Sequence, residues 1–143
     1  MSTTVTTTAP TTDTTTVAAP SVGSMLLAGS AATVGAAVAT AAVAVAGQAA
    51  GISTAVAGAP IPASGFAVLT LIFSVLGLVI ATVLRRFARR PRTAWVRTTV
   101  VLTVLSLVPD VLVDAAVTTK VLLMLTHVVA AAIVIPTVAR RLA

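Results

Sequence analysis

Four long apolar runs, separated by short polar or charged stretches, make up most of the chain after its first two dozen residues. They extend from about Met25 to Ala46, Phe66 to Leu84, Thr98 to Val117 and Val121 to Val138. Each is close to the ~20 residues that cross the hydrocarbon layer of a bilayer. No charged residue occurs between Asp13 and Arg85. Strict apolar–polar alternation is missing, which excludes an outer-membrane barrel. In lipid the backbone must pair within its own segment, so the runs predict helices. The expected architecture is all-α: an integral membrane four-helix bundle over 25–143, preceded by a tail.

Residues 1–24 predict that tail. Ten of them are Thr, interspersed with Pro, Ser and small apolar residues, a composition that cannot build a core and reads as disordered. The tail contains no Lys or Arg, so it is not the n-region of a signal peptide. AVAGQ at 44–48 resembles a signal-peptidase site, but the long Thr tract ahead of it favours an uncleaved first helix. That helix is rich in small residues. Ala28, Ala32, Ala36, Thr40 and Ala44 recur every fourth position, forming a stripe on which another backbone can pack closely. The partner is either the rest of the bundle or a second copy of the chain, which makes a homo-oligomer through the first span an expectation.

Composition narrows the function classes. The chain has 143 residues, 58% of them hydrophobic and only 8% charged. A soluble domain carries about 25% charged residues, and one this small could not bury so much apolar surface. A soluble enzyme is therefore excluded. A nucleic-acid binder is excluded too, despite the net charge of +6, because the basic residues sit at helix ends and only four aromatics are available for stacking. Without Cys there is no thiol chemistry. The excess of Arg over Lys and the abundance of Ala and Val match a GC-rich bacterial genome.

The charges that remain set an orientation. Arg85, Arg86, Arg89, Arg90, Arg92 and Arg97 lie between the second and third runs, and Arg140 and Arg141 follow the fourth. Only Lys120 falls on the opposite side. Short cytoplasmic loops carry the excess of Lys and Arg, so the chain is expected in the bacterial cytoplasmic membrane with both termini inside. The same arginines are candidates for contact with anionic lipid headgroups, with Phe87 and Trp95 as interfacial anchors. The neutral Gly/Pro/Ala-rich segment 48–65 reads as an outer connector.

Candidate chemistry is confined to the last two runs. Thr99, Thr103, Ser106, Asp110 and Asp114 recur at helical spacing and share one face. An Asp near the centre of a span costs roughly 2.5–3.5 kcal/mol on insertion scales, so this face must meet protein or water. Pro109 and Pro136 each remove a helical N–H and predict kinks. His127 is the only histidine. With the turn centred near Thr119, His127 and Asp110 come to the same depth, and an interhelical pair follows. Three readings rank in order: packing glue, a proton relay or ligand pocket, and a metal site of His127, Asp110 and Asp114. No metal-binding spacing backs the last, so no metal and no cofactor are expected. There is no nucleophile elbow, Walker loop or dinucleotide fingerprint, and the chain reads as a non-enzyme.

The segments VRTTVVLTVLSLVPDVLVDAA at 96–116 and TKVLLMLTHVVAAAIVIPTVARRLA at 119–143 resemble a family of small four-helix membrane proteins of unknown function, found mainly in actinobacteria. The resemblance covers about 66–143 and is strongest in SLVPD and MLTHVVAAAIVIP. It implies four spans and a plasma-membrane location, and supplies no activity. Pro109, Asp110, Thr126 and His127 are the positions that match its motifs. The sequence thus points to a structural or accessory membrane component. The alternative is a small proton-linked transporter or channel subunit using Asp110 and His127.

Overall fold

The computed structural model describes residues 21–142. It contains four helices, each long and apolar enough to cross a membrane: α1 (Val22–Ala49), α2 (Ala63–Phe87), α3 (Pro91–Leu112) and α4 (Val117–Ala139). The expected disordered tail falls, over residues 1–20, outside the described residues. Its last residues do not belong to a tail. Ser21 caps α1 by accepting from the Ser24 N–H at 3.1 Å, and Ser24 Oγ donates to the Ser21 carbonyl at 2.8 Å. This pairing of otherwise orphaned end groups starts the helix at Val22 rather than Met25.

α1 packs against both α2 and α4, while α3 packs against α4 and α2. The small-residue stripe makes the close approach of α1 achievable. Ala32, Ala36, Thr40 and Ala44 are buried and Ala28 is half-buried. Two glycines complete that surface. A Cβ at Gly29 would collide with the Leu78 side chain of α2, and one at Gly47 would lie 2.8 Å from Leu122 Cδ1 of α4. Thr40 and Thr70 join their hydroxyls across α1 and α2 at 2.9 Å. The stripe is therefore occupied inside the bundle.

The opposite surface is apolar as well. α2 buries Phe66, Ser74, Leu78 and Ala81, while Leu69, Ile72, Phe73, Leu76, Val79 and Val83 stand exposed. So much contiguous apolar surface is not left facing water in a soluble monomer. It suits a hydrocarbon solvent.

α3 differs from its expected span. It starts at Pro91, whose missing N–H costs nothing at the first helical position. Arg92 and Arg97 thus lie on the helix rather than in a loop. α3 ends at Leu112, so Asp114 falls in the connection to α4 and leaves the polar stripe. Segment 48–65 is also more than a connector. Ala55–Val56 (β1) and Ala59–Pro60 (β2) pair antiparallel around Ala57 and Gly58. Both turn residues have positive φ, 50° and 80°, as a tight hairpin turn requires. The Ala57 N–H donates to the Asp114 carbonyl at 2.9 Å, and Thr119 Oγ1 donates to the Ser53 carbonyl at 2.6 Å. The hairpin is thereby fastened over the α3–α4 connection.

A hydrophobic core cluster gathers at the other, arginine-rich end, around Met25, Leu78, Trp95, Val138 and Leu142. Trp95 is 1% exposed, and its Nε1 donates to the Ile135 carbonyl at 3.1 Å. It is a core residue joining α3 to α4, not an interfacial anchor. Phe87 does stay at the surface, with the Arg86 guanidinium 5.7 Å from its ring centre.

Candidate functional site

The α3–α4 hairpin brings Asp110 and His127 together. His127 Nδ1 lies 2.9 Å from Asp110 Oδ2. The route differs from the expected one. The connection runs over 113–116 instead of turning at Thr119, so simple counting would set Asp110 opposite residue 119. The backbone is extended at Val113 and Ala116. The chain bends through 113–115 between those two extended residues, and the ten helical steps from Val117 to His127 descend about 15 Å. The connection thus carries the chain past the end of α3 before α4 turns back, and His127 returns to the depth of Asp110.

The pair is close but incompletely bonded. Nδ1 also lies 3.1 Å from the Leu123 carbonyl one turn back, to which it donates when it carries the hydrogen. Asp110 Oδ2 sits at ion-pair distance without the alignment of a hydrogen bond, and it is buried with no hydrogen-bond partner among the described residues. The Asp110 side chain is 10% exposed and that of His127 37%, so the imidazole reaches the bundle surface while the carboxylate does not. A buried carboxylate oxygen left unbonded is costly. Asp110 Oδ2 is the one buried side-chain polar atom among the described residues without a hydrogen-bond partner.

The neighbouring polar groups do not reach it. Thr99 Oγ1 donates to the Trp95 carbonyl at 2.8 Å, Thr103 Oγ1 to Thr99 at 2.8 Å, and Ser106 Oγ to Thr103 at 2.7 Å. Thr126 Oγ1 donates to Leu123 at 2.7 Å. These hydroxyls satisfy themselves on their own helices, the usual behaviour of Ser and Thr inside helices. Lys120 Nζ donates to the Val111 carbonyl at 2.8 Å, closing the end of α3. Asp114 is exposed in the connection, and no group of three metal-binding side chains forms among the described residues. Pro109 and Pro136 both lie within continuous helices.

The arginines collect at the far end. Arg85 Nη1 donates to the Arg141 carbonyl at 3.0 Å, drawing the end of α4 over the end of α2. Arg86, Arg89, Arg90, Arg92, Arg97, Arg140 and Arg141 are exposed. Sequence reasoning took Trp95 for an anchor and missed Gly29 and Gly47. Only a tryptophan's isolation among arginines and two glycines inside an apolar run were there to be read.

A family model described as a family of unknown function, DUF6069, matches residues 20–143. The match takes in the first span, beyond the 66–143 over which the sequence resemblance was expected to extend. No curated protein and no solved structure matches.

Proposed function

The chain belongs to the DUF6069 family of unknown function, and we propose that it is a multi-pass protein of the bacterial cytoplasmic membrane with both termini cytoplasmic, acting as a non-enzymatic structural or accessory component. The observation that carries this reading is the charge distribution on the bundle. All eight arginines occupy one end of four apolar helices, and Lys120 and Asp114 occupy the other. That asymmetry is the orientation signal of a membrane protein. Interior hydroxyls bound to their own helices suit a packed scaffold better than a reaction centre. Single cysteines tested in intact cells with a membrane-impermeant thiol reagent check the orientation. A cysteine replacing Gly58 is expected to label, and one replacing Arg89 only after lysis. Labelling of the Arg89 position in intact cells would refute the orientation.

One observation favours a second reading, a proton-linked site. Asp110 Oδ2 is buried, unbonded and 2.9 Å from the chain's only histidine. Intramembrane ionisable residues commonly lie on ion pathways. In reconstituted vesicles under a pH gradient, this reading expects proton flux that Asp110→Asn and His127→Gln both abolish while folding is retained. Absence of flux in the unmodified chain under either gradient direction eliminates it. The structural reading then expects Asp110→Asn to fold and accumulate normally, because an uncharged amide of the same size and shape fills the same place beside the imidazole.

A further inference from the structure

The arginine-rich end and the apolar surface below it meet at one place. Between α3 and α4 runs an apolar groove of about 380 Å³, walled by Val100 and Val104 on one side and Val128, Ala132, Ile135 and Pro136 on the other. On α3, Arg97, Val100 and Val104 fall on one helical face, at offsets of three and seven. On α4, Val128, Ala132, Pro136 and Arg140 recur every fourth position, and Arg140 keeps helical backbone angles. Each wall of the groove therefore ends in an exposed arginine at the same end of the bundle.

We propose that this groove holds one anionic phospholipid, with its phosphate between Arg97 and Arg140 and an acyl chain along the α3–α4 seam. Charge complementarity selects the headgroup. Among the described residues the only carboxylates are Asp110 and Asp114, both toward the opposite end, so these guanidinium groups have no acidic side chain to balance them. Guanidinium forks match phosphate oxygens in geometry. The groove selects a lipid over a soluble phosphate, because its walls below the arginines are apolar apart from Thr103. That hydroxyl already donates to the Thr99 carbonyl. The proposal rests on the chain spanning a bilayer, but not on which end is cytoplasmic.

The test uses the full chain in nanodiscs of phosphatidylcholine containing a minor fraction of phosphatidylglycerol. Both leaflets are accessible there, so orientation does not matter. The readout is the phosphatidylglycerol enrichment of lipid co-purifying with the protein on detergent extraction, measured by mass spectrometry. Enrichment is expected for the unmodified chain, and a loss of about fivefold for each of Arg97→Gln and Arg140→Gln. The Arg97→Lys/Arg140→Lys variant should keep most of it, which separates lost charge from lost fold. Ala132→Leu, which fills the groove without touching charge, should also lower it. Arg89→Gln/Arg90→Gln removes two charges away from the groove and should leave most of the enrichment. Several results overturn the site: an equal loss in the Arg89/Arg90 variant, which would mean a diffuse patch; displacement by soluble glycerol phosphate; or recovery of a second protein copy in place of lipid. A chain that never enters the nanodisc refutes the membrane reading instead.

Discussion

At the scale of single residues, the side chains that hold this bundle are the ones whose types looked least informative. A lone tryptophan among arginines reads as a headgroup anchor, because hydropathy and flanking charge are all the sequence offers. Its burial depends on where α4 passes, which local sequence does not encode. The Trp95 N–H on the Ile135 carbonyl gives a direct test. Trp95→Phe keeps most of the ring but loses the bond and part of the volume, so it should destabilise by about 1–3 kcal/mol. Trp95→Ala should cost about 3–5 kcal/mol. Denaturation in a mild detergent followed by circular dichroism distinguishes this from an anchor, for which the Phe variant would unfold as the unmodified chain does. Asp110 and His127, in contrast, were legible as site candidates. Ionisable residues are so rare in these spans that any such pair stands out, and the costs of burying them apart favour their meeting.

At the scale of elements, the four helices were readable because lipid requires length and apolarity and little else. Their ends were less so. The third span was expected from Thr98 because the arginines ahead of it lower the local hydropathy, yet a helix need not stop where the hydrocarbon does. Pro91 was the local signal for its true start. The α3–α4 connection was misplaced by several residues, since VDAAVTT contains neither Gly nor Pro to punctuate it. The face of α1 was legible from its small residues, but the two glycines that let α2 and α4 approach were not. They provide a matched contrast. Gly29→Leu forces a side chain against Leu78, whereas a Cβ at Gly35 meets nothing within 4 Å. Overpacking of this kind costs about 1–3 kcal/mol. Thermal unfolding in detergent should therefore show Gly29→Leu melting well below Gly35→Leu. Equal melting of the two would mean that α1 does not use this face.

At the scale of the whole molecule, α1 is the helix on which two others close, and it reaches them through a segment free of charge. Membrane helices are stable individually once inserted, and their association is a second step driven by packing. A chain cut in the 48–54 region, before the β-hairpin, should therefore still assemble. The fragment from residue 55 onward retains every arginine, so its orientation signal is intact. Its short N-terminal segment up to Ala63 carries no charged side chain that would oppose translocation. The fragment ending near residue 50 brings the small-residue face with Gly29, Thr40 and Gly47. Co-expressed, the two should purify together through a tag on either one. Gly29→Leu should weaken that recovery, because it blocks the approach to α2, while Gly35→Leu should not. Fragments that insert but never co-purify would mean that the covalent link, rather than the α1 surface, holds the first helix in the bundle. If the larger fragment alone melts as the intact chain does, α1 adds nothing to stability, and the close packing at Gly29 and Gly47 would have no energetic consequence.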